Sequence, residues 1–200
     1  MTLFQKYTLA VVIGLTFIAC GGQGGTNHQT QADRAPSPHL DTSDSLMLVP
    51  GRSAGVFKLG ESDSLLHQRL GKPDFSDAAM GKAVLMWYTD TGSSYPLSIF
   101  TSRDMGNDET ARIQQIRITS PYFETQQSIH VGVTLAEISN TYAKSLRVVE
   151  TYEENGATYS IYDTDAGIAF EIDPAERCVA IIIQGVDSSM HSYLPLKTTN

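Results

Sequence analysis

Residues Thr134 to Gln184 read TLAEISNTYAKSLRVVETYEENGATYSIYDTDAGIAFEIDPAERCVAIIIQ. Thr134 and Glu137 have the T-x-x-E spacing of a capping box, in which each side chain satisfies a backbone donor at a helix start. Leu135, Ile138 and Tyr142 follow at i, i+3 and i+7, one apolar face of a short helix. Strands are expected over 147–152, 157–162, 167–172 and 178–184. Asn155-Gly156 supplies a two-residue hairpin turn, since both residues tolerate positive φ. Ile168, Phe170 and Ile172 alternate with Ala169 and Glu171, which predicts one buried and one wetter face. Cys178 to Ile183 is apolar on both faces and suits a central strand covered on both sides.

The same order of signals occurs upstream. Phe57-Lys58-Leu59-Gly60-Glu61-Ser62 aligns with Ile129-His130-Val131-Gly132-Val133-Thr134 at an offset of 72 positions, as do Leu66 with Ile138 and Leu70 with Tyr142. Ser62 is the N-cap candidate, Leu65, Leu66 and Leu70 make the apolar face, and Gly71 with Pro73 ends the helix. Strands are expected over 83–88, 97–101 and 112–119, with a weaker one near Phe75. The expected fold class is therefore α+β, with two tandem repeats of a short helix followed by a three- to four-stranded antiparallel meander. The expected limits are 46–121 for the first repeat and 122–190 for the second, with 191–200 as a tail.

Upstream of this body the composition changes. Residues 1–20 read MTLFQKYTLAVVIGLTFIAC, with Lys6 ahead of an uncharged run from Tyr7 to Ala19. Thirteen helical residues rise about 20 Å, short of the ~30 Å hydrocarbon core, so a removed signal fits better than a permanent span. Phe17-Ile18-Ala19-Cys20 resembles the bacterial lipobox, and that resemblance implies cleavage before Cys20 and acylation of its thiol. Phe17 stands where leucine is commoner. Two or three acyl chains give stable anchoring where one gives marginal binding. Gly21 follows Cys20 with no aspartate there, which favours the outer membrane over the inner.

Residues 20–45 have one large aliphatic residue, Leu40, and no aromatic, so they are expected to form a tether. As a coil its span is roughly 25–30 Å. His28 and His39 lie in it and read as solvated linker residues.

Composition sets further limits. The 200 residues carry 14 Lys+Arg against 22 Asp+Glu, with 41% hydrophobic residues. Removing residues 1–19 takes Lys6 and no acid, so the formal charge of −8 becomes −9. Such a balance argues against a nucleic-acid partner, which needs clustered Lys and Arg. Anionic headgroups would also repel the body, so the membrane is reached through lipid on Cys20. Only Cys20 and Cys178 are present, too few for a disulfide framework or a cysteine-rich zinc site.

The segment from Gly51-Arg52-Ser53 through Leu59-Gly60-Glu61-Ser62 to Leu70-Gly71-Lys72-Pro73 resembles the SmpA/OmlA (BamE-like) envelope lipoproteins, in a tandem form similar to the beta-lactamase inhibitory protein fold. In that family a G-x-[ST] turn opens a helix that closes with G-x-P. Gly132-Val133-Thr134 keeps the opening, whereas Ala143-Lys144-Ser145 replaces the closing motif. The resemblance covers about 40 residues that serve turns and caps, and it implies a non-enzymatic binding or assembly module with a protein partner in the envelope.

Catalytic motifs are sparse. His67, His130 and His191 fall in the body and its tail, and no G-x-S-x-G elbow accompanies them. An envelope hydrolase around His130 and a surface-exposed ligand-binding or adhesion lipoprotein are the alternatives. The acidic loops at 104–109 and 163–167 lack the alternating ligand order of a calcium loop and read as hairpin tips. Cys178 reads as a small core hydrophobe. No catalytic, cofactor-binding or metal residue is assigned. The aromatics Trp87, Tyr88, Tyr95, Tyr122 and Phe123 offer a contact surface, and Tyr122-Phe123, between the two expected repeats, reads first as packing between them. The site assignments are lipidation at Cys20 and, as the alternative to that packing, a partner face containing Trp87, Tyr122 and Phe123.

Overall fold

The computed structural model describes residues 44–88 and 95–186. Cys20, the tether apart from its last two residues, His28, His39, His191 and the tail all lie outside that range.

A 3-10 turn over Asp44–Leu46 leads into β1 (Met47–Val49), β2 (Ser53–Ala54) and β3 (Phe57–Lys58). Helix α1 (Asp63–Leu70) precedes β4 (Phe75–Ala79), β5 (Lys82–Trp87), β6 (Leu97–Asp104) and β7 (Asp108–Ile118). After β8 (Glu124–Thr125) come α2 (Leu135–Tyr142), β9 (Arg147–Glu154), β10 (Ala157–Asp163), β11 (Ile168–Ile172) and β12 (Cys178–Gln184).

Local chemistry accounts for the helix limits. Ser62 accepts from the Ser64 amide at the start of α1, and Gly71, at φ 74°, ends it. In α2 both halves of the Thr134–Glu137 capping box are present. Each helix has eight residues, about 12 Å, so neither can cover a wide sheet alone.

The strands form two sheets. One has eight strands in the order β4-β5-β6-β7-β12-β11-β10-β9, and the other has four in the order β3-β2-β1-β8. β7 and β12 join the large sheet at its centre, with Ile181 opposite Ile118 and Ile183 opposite Ile116. Leu66 from α1, Ile138 from α2, and Leu48 and Phe57 from the small sheet pack on one face of the large sheet. They meet Ile99, Ile113, Ile116, Phe170, Ile181 and Ile183 in the main core. Each such side chain contributes ~1.5–3 kcal/mol by leaving water.

This arrangement overturns the expected α+β body of two helix-plus-meander repeats. The described chain is mostly β, with twelve strands in two sheets against two α-helices. The strands do not close into separate units, because the exposed edges of β7 and β12 pair with each other and continue one sheet. Residues on both sides of the expected boundary at 121/122 build a second sheet. There β1 pairs in parallel with β8, Met47 opposite Glu124 and Leu48 opposite Thr125.

A second correction concerns β11. Ala169 and Glu171 do not face water; Glu171 is 2% exposed. They lie on the other face of the large sheet, where Ile161, Ala169 and Ile182 form a small cluster flanked by Val149 and Tyr152.

Candidate functional site: an aromatic cleft at the sheet end

The cleft begins where β6 starts and β7 ends. Pairing of Leu97 with Ile118 places both side chains on the core face at the margin of the sheet. Leu70, from the last turn of α1, and Phe57, from β3, close the floor. Tyr95, Pro96, Thr119, Ser120, Tyr122 and Phe123 make the walls of a cavity of about 290 Å³.

Tyr122 is 68% exposed and meets Tyr95 edge to face, with ring centroids 6.2 Å apart and planes at 89°. Such a pair adds ~0.5–1.5 kcal/mol beyond its buried area and holds the rim in shape. The rim hydroxyls near the floor already serve the backbone. Thr119 donates to the Pro96 carbonyl at 3.1 Å, and Ser120 accepts from the Tyr122 amide at 3.4 Å. An occupant therefore meets an apolar floor and aromatic walls, which suits binding of an apolar group.

Of the three residues assigned to a partner face, Tyr122 and Phe123 line this cleft together. Trp87 does not join them. It sits across from Leu97 in the sheet, is 7% exposed, and its ring belongs to the core. Its indole N–H donates to the Gly71 carbonyl at 3.3 Å, and His67 lies against its edge. Tyr95, another aromatic that the sequence offers for a contact surface, lines the cleft as well, whereas Leu70 and Pro96 were not expected there. Tyr95-Pro96, an aromatic–proline pair just before a strand, was the available signal.

The histidines are placed otherwise. His67 is exposed on α1. The His130 ring nitrogen Nδ1 lies 2.8 Å from the Val131 carbonyl, and Glu137 is held by Thr134 in the capping box. Among the described residues no group of three or more His, Cys, Asp or Glu is gathered as metal ligands. The 104–109 loop uses its carboxylates locally: Asp104 accepts from Asn107, Glu109 from the Gly106 amide, and Asp108 from Arg112.

The other face of the large sheet holds a polar network. Arg117 donates from Nε to Glu171 Oε1 at 2.8 Å and from Nη2 to Oε2 at 2.5 Å, and Tyr152 Oη donates to Oε2 at 3.3 Å. Burial alone would lower the Arg117 pKa, but the hydrogen bonds and charge of Glu171 outweigh it and raise it. Burial and the Glu171 charge push the Tyr152 phenol well above its usual range. Nearby, Gln115 donates to Gln184 at 2.9 Å, which donates to Asp163 at 3.1 Å. These groups fix one another in the sheet. Cys178 is buried, and burial first, then Glu171, raises its thiol pKa, which leaves it a poor nucleophile.

Among the described residues no helix is long and apolar enough to cross a membrane. No family model matches the chain. No curated protein matches it either. A solved structure similar to it is an extracellular protein containing a SCP domain from Bacillus anthracis str. Ames. The likeness covers 64% of this chain and 44% of that one, at 7% identity and a TM-score of 0.40, so this chain spans less than half of that neighbour's length.

Proposed function

We propose that the chain is a bacterial cell-envelope lipoprotein, held to a membrane (the outer in preference to the inner) through lipid on Cys20. Its body is a binding or assembly module that takes a protein partner at the aromatic cleft. The observation that carries the binding role is the cleft itself: an apolar floor of Phe57, Leu70, Leu97 and Ile118 under the Tyr95–Tyr122 rim. Aromatic side chains are enriched at the buried centres of protein interfaces, where they fill apolar pockets. The Phe17-Ile18-Ala19-Cys20 sequence and the SmpA/OmlA-like turns at Gly51–Pro73 support the address.

The address is tested by intact mass of the protein from membranes. A mature chain starting at Cys20 and carrying a diacylglyceryl mass supports it, together with loss of membrane association in Cys20→Ala. An unacylated chain in the membrane fraction refutes it.

A further inference from the structure

The face of the small sheet turned away from the core carries a second hollow. Register puts Val49 opposite Ser53 and Ser53 opposite Lys58, one row across β1, β2 and β3. Side chains alternate along a strand, so that row lies on the face opposite Ala54 and Phe57, which are buried in the core. Arg52, in the β1–β2 turn, sits beside the row: its amide donates to the Val49 carbonyl at 3.0 Å, and its carbonyl accepts from the Leu59 amide at 2.8 Å. Val49, Gly51, Arg52, Ser53, Lys58 and Leu59 line a cavity of about 450 Å³. Against a liquid volume of ~30 Å³ per water, that is room for an anionic group and part of the molecule that carries it.

Three donor side chains on this hollow have no acceptor among the described residues. Arg52 and Lys58 are exposed and form no ion pair, and the Ser53 hydroxyl has no hydrogen-bond partner. The other described arginines are all engaged. Arg69 pairs with Glu61, Arg103 with Glu109, Arg112 with Asp108, Arg117 with Glu171 and Arg147 with Asp165, while Arg177 donates to the Gly132 carbonyl. With 22 acidic residues against 14 basic ones, the chain has carboxylates to spare, yet none meets Arg52. Two neighbouring acids are committed elsewhere. Glu61 holds Arg69 at 2.9 Å, and Asp165, one residue before the Ala166 carbonyl that faces Gly51, holds Arg147 at 2.6 Å. The hollow keeps two positive charges and a hydroxyl in an otherwise acidic body.

We propose that this hollow binds a phosphate-type oxyanion, held by the charges of Arg52 and Lys58 and by the Ser53 hydroxyl. A guanidinium offers two parallel N–H donors that match two oxygens of such a group, and an ammonium adds a compact charge on a flexible stem. Three donor side chains suit the three terminal oxygens of a phosphate monoester better than the two of a carboxylate. Val49 and Leu59 supply apolar contact for the carbon portion beside it. A soluble phosphate ester and a lipid headgroup present the same oxyanion, and both are sources the site accepts. The hollow shares no lining residue with the aromatic cleft and does not depend on what that cleft binds.

Backbone-amide NMR of the chain from residue 20 onward, carrying Cys20→Ala, tests the site by titration with phenyl phosphate at constant ionic strength. The expected result is saturable shifts at Arg52, Ser53, Lys58 and Leu59. Binding should weaken by about tenfold or more in Arg52→Gln and in Lys58→Gln, and stay unchanged in Lys82→Gln, an exposed lysine on β5. All three replaced side chains are exposed, so the fold should persist, which far-UV dichroism checks. No saturation, shifts spread alike over the surface lysines, or undiminished binding by Arg52→Gln overturns the proposal. Sedimentation with phosphatidylcholine vesicles, with and without phosphatidic acid, separates the two sources. Retention by the phosphatidic acid vesicles that Arg52→Gln abolishes assigns a lipid headgroup, and phenyl phosphate binding without such retention assigns a soluble phosphate ester.

Discussion

Replacing Arg117 with Met is the sharpest test of how the large sheet is held together. Arg117 meets Glu171 through two hydrogen bonds of 2.8 and 2.5 Å, and Glu171 is 2% exposed. Arg117→Met leaves that carboxylate buried with one 3.3 Å bond from Tyr152. Breaking a buried pair from one side costs about 3–5 kcal/mol, because the remaining charge has lost its partner and cannot regain water. For a domain of this size each kcal/mol lowers Tm by roughly 2–4 °C, so a fall of about 6–20 °C is expected. Glu171→Leu should cost a similar amount. The double variant, which removes both charges, should lie within about 1 kcal/mol of the original or exceed it. Trp87, the one tryptophan, is buried and reports urea unfolding by fluorescence, with far-UV dichroism as a second probe. A single-variant cost below about 1 kcal/mol, or single costs that simply add in the double variant, would refute the reasoning. Either would mean that water reaches the pair.

Three further outcomes follow from local geometry. Gly167→Ala should lower Tm much more than Gly156→Ala: both have positive φ, but a β-carbon at Gly167 would lie 2.5 Å from the Gln184 carbonyl oxygen, whereas Gly156 faces open space. Carbon-detected NMR titration should give Asp108 a midpoint of about 2, held down chiefly by the Thr110 amide, then by the Thr110 hydroxyl and Arg112. Because the folded value lies below the ordinary one of 3.8, this contribution to stability is present above pH 3.8 and is lost as pH falls through about 2; Arg112→Gln should move the midpoint only part of the way back. Iodoacetamide at pH 8 should leave Cys178 unlabelled in the folded acylated chain and label it fully in urea, and rapid labelling of the native chain would contradict its burial.

What could be read from the sequence depended on how local each signal was. The Thr134–Glu137 box and the Asn155-Gly156 turn act over two to four residues, and α2 and the β9–β10 hairpin formed where they point. The strand over 178–184 was legible because its apolar run lies on both faces. The small sheet was not legible. Its strands are two or three residues long, and it depends on Met47 meeting Glu124, a pairing that no local pattern encodes. The joining of β7 to β12 is likewise a choice between edges made by the whole fold, and it turned two expected repeats into one sheet. Glu171 misled because a carboxylate in an alternating strand reads as solvated. Its partner Arg117 lies 54 residues earlier, so the buried pair shows only once the strands are side by side. At the cleft, Tyr122 and Phe123 were visible as adjacent aromatics, while Leu70 and Tyr95 reach the site from other elements. Trp87 had the same aromatic signal, but its place opposite Leu97 turned it into the core.

The claim that the cleft is the binding site is tested most directly by site-specific photocrosslinking in intact cells. A photoreactive phenylalanine at Tyr122 is compared with the same group at Glu150, an exposed position on β9. A discrete adduct from Tyr122 that is absent from Glu150, and that is lost when Leu97→Trp fills the floor, is the expected result. Identical patterns from both positions, or an adduct unaffected by Leu97→Trp, would contradict it.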